Sequence, residues 1–492
     1  MKELISNNKT KILIHLGLVL ITFSLVYTSS LNPFTSRIMN VDTSVYVSIT
    51  QGILRGQILY RDLVDNKGPL NYFLSVPGFY LGGIIGIWLT EFIFIFISFL
   101  FMYKTALMFV NEINAFLTMF FTSLAMHPFY FVNAGAEVYS LPFLVISLYI
   151  FSRHYIMNRN ASLLELLTLG ICFSSSILIR LNMFPLWAGF CLTIIIESAI
   201  KKKFLNIVKY IITFSFGVSI VIFPVYLYLK LNNILPEFYL YVISGGVSRG
   251  FQASLLRDFA NFFYIVINRS FSFLPLGIGI IWFFIRYKNI NTWYFLGFIL
   301  SYLLSVIFLS FSSGFSYYNL ILIPFFVPTL AFLTDSLLSL FSNIKYKRLA
   351  VIFLFCVLFS EGIVRLSYYV FFNFDSGIQI RNAGRFIDEN TEPGDKIINL
   401  GGNAYIYPFT AREYASKYIF QDSSAFAHIP GARDEFVSTI ISTKPKIISI
   451  FTAQGDVNTQ LTVGWHEDIL DLLATDYKLV SENYGFKIFL RL

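Results

Sequence analysis

The chain has 492 residues, of which 56% are hydrophobic, 18% are aromatic and only 13% are charged. This composition excludes an ordinary soluble globular domain and indicates a polytopic membrane protein. The formal net charge of +8 does not point to nucleic acid, because Lys and Arg collect in the short cytoplasmic loops of membrane proteins. The three cysteines lie inside apolar runs, so they imply neither a disulfide framework nor a metal cluster.

Eleven apolar runs approach the length that a helix needs to cross a bilayer. The first is interpreted as a retained helix, because it lacks the small-residue cleavage site of a signal peptide. The predicted spans are Ile12–Ser29, Ile84–Tyr103, Ala115–Val132, Tyr139–Phe151, Leu163–Ile179, Met183–Ile196, Leu205–Leu229, Phe271–Ile285, Thr292–Phe311, Tyr317–Asp335 and Leu349–Val370.

The distribution of basic residues orients these spans. With the N-terminus in the cytoplasm, every inner loop carries Lys or Arg. The short outer loops at Asn133–Ala136 and Ser312–Ser316 carry neither, as the positive-inside rule requires. Two long loops, residues 30–83 and 230–270, then lie outside the cytoplasm. The odd number of spans places the C-terminal tail outside as well.

Two stretches of the first outer loop are predicted to form helices at the membrane surface. Val45, Ile49 and Ile53 recur at the spacing of one helical face, which predicts a helix from Thr43 to Arg55. The apolar segment Leu70–Gly83 is interrupted by proline and glycine, and counting it as a span would reverse the topology of every later loop. We therefore expect this segment to lie flat at the interface.

From residue 375 onward the composition becomes that of an ordinary soluble domain. Residues 1–374 are therefore predicted to form the transmembrane domain, and residues 375–492 a small α/β domain outside the membrane. The predicted elements of this second domain are a helix over Ile378–Asn390 and strands over Lys396–Leu400, Lys446–Phe451 and Phe486–Leu492.

Ionisable residues are concentrated in the first outer loop. Between Asn40 and Asn71 the chain carries Asp42, Arg55, Arg61, Asp62, Asp65 and Lys67. Asp42 lies at the start of the predicted helix, where a carboxylate can act simply as the N-cap. The stretch Asp65–Pro69, with the sequence DNKGP, can likewise be a polar turn between two helices.

A further acid on the same side of the membrane favours a functional site. Glu137 enters an apolar helix from a short outer loop, where a carboxylate is costly unless it is paired or functional. We expect Asp42, Asp65 and Glu137 to converge beside Lys67. Carboxylates that face a cation suit a reaction in which a base removes a proton from an acceptor while a phosphate departs. Arg180, at an outer helix end, either grips that phosphate or extends to the membrane surface.

The order of these residues resembles the first outer loop of a known superfamily. Asp42–Tyr46 (DTSVY), Gly56–Asp62 (GQILYRD) and Asp65–Leu70 (DNKGPL) are similar to the protein O-mannosyltransferase and aminoarabinose transferase superfamily. Its members are C-type (GT-C) glycosyltransferases that take a sugar from a polyprenyl-phosphate carrier. The resemblance extends to Glu137 and to the stretch Gly401–Arg412. It implies a mainly α, polytopic membrane fold with interfacial helices in the first outer loop and a small α/β extracytoplasmic domain.

The resemblance also implies roles for individual residues. Asp42 matches the general base of the superfamily, Lys67 the basic residue that contacts the carrier phosphate, and Glu137 the acid of the second outer loop. Many members carry an acid directly before that lysine, whereas this chain has Asn66 there, so Asp65 is the third catalytic candidate. The other candidates for binding the substrate or its phosphate are Arg61, Arg180, Tyr60 and Tyr318.

The function implied by the resemblance is that of an inverting glycosyltransferase of the cell envelope. It would move a sugar from a polyprenyl-phosphate carrier to an extracytoplasmic lipid, cell-wall glycan or protein. The expected location is the plasma membrane, with the N-terminus in the cytoplasm and both the active site and the C-terminal domain outside. Membrane lipids are expected partners and nucleic acid is not. No cofactor is indicated. A divalent metal is possible, but no ligand spacing in the sequence points to one.

Two other functions stay open at this point. A transporter or flippase for lipid-linked sugars would share the membrane and the carrier, but transporters usually place their charges near the bilayer midplane on broken, repeated helices. A membrane glycan polymerase would differ only in using a lipid-linked oligosaccharide as donor. The charges of this chain gather at one outer face without a visible repeat, which favours the transferase.

Overall fold

In the computed structural model of the protein, the described residues are 2–130, 133, 135–245, 260, 277, 280–281, 291–310, 316–341, 343, 345–372, 376–401, 403–421, 429–451, 466–483 and 485–492. The predicted span Phe271–Ile285 and the second half of the long loop 230–270 fall largely outside these ranges.

Helices dominate the first three quarters of the chain. They are α1 (Lys2–Tyr27), α2 (Val41–Leu54), α3 (Leu70–Phe73), α4 (Val76–Ala106), α5 (Glu112–Met126), α6 (Ala136–Ile156), α7 (Leu163–Ile179), α8 (Pro185–Ile200), α9 (Phe204–Leu231), α10 (Leu235–Phe238), α11 (Thr292–Ser310), α12 (Ile323–Leu340), α13 (Lys347–Leu358) and α14 (Ser360–Phe371). A 3₁₀ turn, Ser316–Leu322, leads into α12, and a π-helical turn, Tyr239–Ser244, follows α10.

Many of these helices have the length and hydropathy of membrane spans. Among the described residues six qualify, and the pair α13 and α14, bent by 76° at its break, would count as a seventh. Three shorter apolar helices, α5, α7 and α8, accompany them. Each predicted span other than Phe271–Ile285 overlaps one of these helices, so the prediction of a polytopic helical membrane protein is confirmed.

The first outer loop contains the helices predicted for it. Helix α2 covers the stretch predicted as Thr43–Arg55. The segment predicted as Leu70–Gly83 forms α3 and the start of α4, and α4 breaks at Gly82 and Gly83, the latter with a left-handed φ of 59°. A Cβ on Gly86 would lie 1.8 Å from the carbonyl oxygen of Gly78, so the two arms of the break pack backbone to backbone. The segment therefore folds back onto the span that follows it.

The last part of the chain forms a mixed five-stranded sheet in the order β2-β1-β3-β5-β4. Its elements are α15 (Ser376–Glu389), β1 (Lys396–Leu400), β2 (Glu413–Tyr414), α16 (Ala432–Thr443), β3 (Ile447–Phe451), α17 (His466–Asp476), β4 (Tyr477–Ser481) and β5 (Phe486–Arg491). Strand β1 runs parallel to β2 and β3, whereas β5 runs antiparallel to β3 and β4. The predicted helix and three strands are present, and β2 and β4 are additional.

The helices that bear the candidate residues meet at one end of the bundle. Helix α6 packs against α4, α7 and the 3₁₀ turn before α12, and α3 packs against α2 and α7. The beginnings of α2 and α6, the end of α7 and the 3₁₀ turn are thereby brought to one place. The fold thus assembles a site from segments that are far apart in sequence.

Candidate active site

The first turn of α2 presents Asp42 to the 3₁₀ turn before α12. Asn40 is the N-cap, since its side-chain oxygen accepts a hydrogen bond from the backbone N–H of Asp42 at 3.0 Å. The alternative in which Asp42 itself caps the helix is therefore wrong. Its carboxylate instead accepts a hydrogen bond from the hydroxyl of Tyr317 at 2.8 Å. The helix dipole additionally favours a negative charge in this first turn.

Glu137, in the first turn of α6, and Arg180, which follows the last residue of α7, form a buried ion pair. The Glu137 side chain is 3% exposed and that of Arg180 is 14% exposed. The guanidinium also lies over the ring of Tyr318, with Cζ 3.8 Å from the ring centroid. Arg180 is therefore held between a carboxylate and an aromatic face.

Tyr46 is a buried phenol on the same helix as Asp42. It follows Asp42 by one helical turn on α2. Burial raises the pKa of its hydroxyl well above the ordinary value, and the negative charges of Asp42, Asp65 and Glu137 raise that pKa further. This phenol therefore stays protonated at neutral pH and can donate a hydrogen bond.

Lys67 supplies a second positive charge on a turn that is hydrogen-bonded to the end of α7, where Arg180 follows. The Lys67 ammonium donates one hydrogen bond to the side-chain oxygen of Asn66 at 3.0 Å. An ammonium can donate three hydrogen bonds, so Lys67 retains the capacity to bind an anion.

The turn that carries Lys67 is fixed to the end of α7. The N–H of Gly68 donates to the carbonyl oxygen of Ile179 at 3.0 Å. The hydroxyl of Tyr60 donates to the carbonyl oxygen of Lys67 at 2.7 Å. Tyr60 is fully buried with a left-handed φ of 69°, a strained conformation for a residue with a side chain. Tyr60 therefore positions Lys67, and its own hydroxyl is already bonded.

Replacing Gly68 with alanine should displace Lys67. The added Cβ would lie 2.0 Å from the carbonyl oxygen of Leu178, which is backbone and cannot move aside cheaply. We expect the Michaelis constant for a phosphate-bearing donor to rise by about 10-fold, as for the loss of one charge-assisted contact. The control is Gly394→Ala, because a Cβ at Gly394 meets open space. If Gly68→Ala binds the donor as well as the wild type does, Lys67 does not contact the phosphate.

Asp65 is fixed by hydrogen bonds to both of its carboxylate oxygens. The Tyr72 hydroxyl donates to Oδ2 at 2.5 Å, and the backbone N–H of Asn66 donates to Oδ1 at 2.7 Å. The ring of Tyr72 packs edge-on against that of Tyr46, with 6.1 Å between the centroids. Asp65 therefore contributes charge to the cluster from a fixed position in its own turn.

Arg61 is directed to the surface of the loop. Its side chain is 53% exposed and forms an ion pair with the neighbouring Asp62 at 3.0 Å. Of the two arginines predicted to bind the phosphate, Arg180 is the one that the fold brings to Lys67.

A buried polar network links the segments that precede α2 and α6 to α4. The hydroxyl of Thr43 donates to the carbonyl oxygen of Asn133 at 2.9 Å and accepts from its N–H at 3.0 Å. The Asn133 amide donates to Glu91 at 3.3 Å, and Ser29 donates to the same carboxylate at 2.9 Å. This network sets the spacing between the starts of α2 and α6. It also supplies Glu91 with partners that the sequence had not identified.

Two residues of the cluster were not selected as site residues from the sequence. Tyr46 is four positions after Asp42, and this spacing on a predicted helix is a signal that the two share a face. Tyr317 carries no comparable signal, because a tyrosine at the outer end of a span is ordinarily an interface anchor.

The Tyr317 hydroxyl should influence the reaction through Asp42. A hydrogen bond to a charged group contributes more than one between neutral groups. We expect Tyr317→Phe to lower kcat by about 10-fold with little change in the donor Michaelis constant. Tyr80→Phe is the control, since Tyr80 is 77% exposed. Equal activity of the two variants would show that this hydrogen bond has no catalytic role.

The assembled groups have complementary chemical capacities. Asp42 can accept a proton, Lys67 and Arg180 can neutralise a leaving anion, and Tyr46 can donate a hydrogen bond. Within the described ranges, no group of three or more His, Cys, Asp or Glu side chains is placed to hold a metal ion.

Comparison with known proteins relates this fold to solved membrane proteins. No family model and no curated protein sequence matches the chain. The apo structure of ArnT from Cupriavidus metallidurans is similar with a TM-score of 0.63 and 13% identity, over 99% of this chain and 98% of that one. The structure of the same protein bound to undecaprenyl phosphate gives 0.62, at 13% identity over 98% of each chain.

A second similar structure is archaeal. The oligosaccharyltransferase AglB from Archaeoglobus fulgidus, in complex with an inhibitory peptide and a dolichol-phosphate, has a TM-score of 0.57 and 13% identity, over 97% of this chain and 74% of that one. At such identity the likeness establishes the fold. The mainly α, polytopic membrane fold that the resemblance implied is thereby confirmed, and the chain shares its architecture with ArnT and AglB.

Proposed function

We propose that the protein is an integral-membrane inverting glycosyltransferase that moves a sugar from a polyprenyl-phosphate carrier to an acceptor outside the cytoplasm. One observation carries the proposal. The carboxylate of Asp42 accepts a hydrogen bond from Tyr317, whose ring packs against that of Tyr318, and Tyr318 lies under the Arg180 guanidinium, while the turn that carries Lys67 is hydrogen-bonded to the end of α7 beside Arg180. This is the set of groups that transfer from a lipid phosphate requires.

The proposed step is a single displacement at the anomeric carbon. The acceptor hydroxyl attacks that carbon while Asp42 takes its proton, and the bond to the phosphate oxygen breaks on the opposite side. The carrier leaves as a polyprenyl monophosphate whose charge Lys67 and Arg180 neutralise. A phosphate is already a good leaving group, so no general acid is needed. The anomeric configuration inverts.

Glu137 has a supporting role in this scheme. Its carboxylate pairs with Arg180, which keeps the guanidinium in place beside Tyr318 before the donor arrives. Prearranged charges lower the barrier more than charges that must reorient during the reaction. Asp65 adds negative charge on the side of Tyr46 and Tyr72.

The likeness in fold supports a lipid-phosphate carrier and a location in the membrane. One similar structure holds undecaprenyl phosphate and another holds dolichol-phosphate, so this architecture accommodates lipid phosphates. The basic inner loops support an orientation with the N-terminus in the cytoplasm and the cluster outside. We place the protein in a bacterial plasma membrane. The acceptor in this proposal is a lipid, glycan or protein of the cell envelope.

Transfer from a synthetic polyprenyl-phospho-monosaccharide by the purified protein in detergent tests this function. We expect the sugar to appear on an acceptor from an envelope lipid or glycan fraction. A transporter would move lipid-linked sugar across vesicles without breaking the sugar–phosphate bond. A glycan polymerase would act only on a lipid-linked oligosaccharide. Movement without bond cleavage, or strict dependence on an oligosaccharide donor, would overturn the proposal.

A further inference from the structure

Helix α2 has a second polar face, separate from the one that carries Asp42 and Tyr46. Ser44, Ser48, Gln51 and Arg55 recur at intervals of four, three and four residues, which aligns them along one side of the helix. We call these four residues the docking stripe. Ser44 and Ser48 are fully buried although the helix belongs to an outer loop. The C-terminal region of the chain contacts this face of the helix.

The first half of the docking stripe is bound by residues near β1 and β2. The backbone N–H of Ala404 donates to the hydroxyl of Ser44 at 3.3 Å. The hydroxyl of Tyr414 donates to the carbonyl oxygen of Ser48 at 3.0 Å, and it lies 3.0 Å from the side-chain amide of Gln51. Tyr414 is itself buried, so these hydrogen bonds are shielded from water.

The end of the docking stripe is held by Arg55. Its guanidinium donates to the carbonyl oxygens of Thr410 at 2.9 Å and Arg412 at 2.8 Å. The same group lies over the ring of Tyr414, with Cζ 5.8 Å from the centroid. A lysine could reach one of the two carbonyl oxygens, whereas the forked guanidinium reaches both.

The segment that contacts the helix is itself held in place by hydrogen bonds and ring packing within the C-terminal region. The Thr410 hydroxyl donates to Asp388 at 2.6 Å, and the Arg412 guanidinium donates to the carbonyl oxygen of Asp388 at 2.7 Å. The rings of Tyr407 and Tyr414 pack with centroids 4.5 Å apart. The docking stripe therefore rests on a fixed support that the C-terminal fold builds.

We propose that residues 404–414 are a positioning part of the active site, and that Tyr414 and Arg55 hold Asp42 in its reactive place through α2. The inference rests on the proposed function. Asp42 is on the first turn of α2, and its partner Tyr317 belongs to a different span. A rotation or slide of α2 would therefore separate the base from Tyr317, and a misplacement of 1 Å far from the chemistry can lower a rate by about 100-fold.

The test combines Tyr414→Phe and Arg55→Ala in the full chain and measures transfer from a synthetic polyprenyl-phospho-sugar. We expect each single variant to lower kcat by about 5-fold and the double variant by about 100-fold. The donor Michaelis constant should change less than about 2-fold, because Lys67 and Arg180 are not on α2. Arg55→Lys should recover part of the rate lost in Arg55→Ala.

Arg385→Ala is the matched control, because Arg385 is exposed on α15. Thermal unfolding in detergent is measured for every variant so that kcat refers to folded protein. If the double variant keeps the kcat of Arg385→Ala, the positioning role is refuted while the transferase stands. The role is also refuted if the loss merely follows the folded fraction. A wild-type protein that transfers no sugar would instead refute the proposed function.

Discussion

Replacing Asp42 with asparagine is expected to abolish sugar transfer while leaving the amount of folded protein unchanged. Asparagine keeps the shape of the side chain and an oxygen that accepts the hydrogen bond from Tyr317, but it cannot take a proton from the acceptor. General-base catalysis contributes about 100- to 10,000-fold, so kcat should fall by about that factor. Initial rates of transfer from a synthetic donor provide the measurement.

Asp62→Asn is the control for Asp42→Asn. Asp62 lies in the same outer loop, and its carboxylate pairs with the exposed Arg61. We expect transfer by Asp62→Asn to match that of the wild type. Near-normal transfer by Asp42→Asn would remove Asp42 from the role of base.

Replacing Arg180 with methionine should have the largest effect on stability. The variant leaves the buried Glu137 carboxylate without its partner, and breaking a buried ion pair in this way costs about 3–5 kcal/mol. Donor binding should weaken as well, because one of the two cations beside Tyr318 is lost. The apparent unfolding temperature in detergent and the donor Michaelis constant are the two measurements.

A double variant separates these two effects. Adding Glu137→Gln to Arg180→Met removes the unpaired charge, so most of the lost stability should return. Donor binding should not return, since the guanidinium is still missing. If donor binding recovers together with stability, Arg180 serves the fold and does not contact the phosphate.

Much of the membrane fold follows from the sequence, because each span is a local apolar run. The apolar spacing of Val45, Ile49 and Ile53 was enough to locate α2, and Gly82 and Gly83 mark the break in α4. The residue at which a helix begins is harder to predict. Asn40 and Asp42 are both good N-caps, and only the backbone shows which of them is used.

The sequence placed Glu137 and Arg180 near helix ends but did not predict their ion pair, because the two residues lie on different helices that meet only in the fold. Arg61 was chosen for its place in a motif, yet the turn directs it outward to Asp62. Tyr317 is 275 residues from Asp42, and no local pattern reports such a contact. Long-range partners of this kind come from tertiary packing.

In the C-terminal region, too, the sequence does not report contacts between distant residues. Strands β1, β3 and β5 are rich in apolar residues, whereas β2 has only two residues and is defined by its pairing with β1. The docking stripe was present in the sequence as Ser44, Ser48, Gln51 and Arg55, but nothing local indicated what would cover it.

The most direct test of the central claim is to follow the carrier of a defined α- or β-linked polyprenyl-phospho-sugar during a reaction with purified protein and acceptor. We predict release of one polyprenyl monophosphate for each sugar transferred, with inverted anomeric configuration in the product and no release by Asp42→Asn. A carrier that stays joined to its sugar while the wild-type protein is active, or a product with retained configuration, would contradict the account.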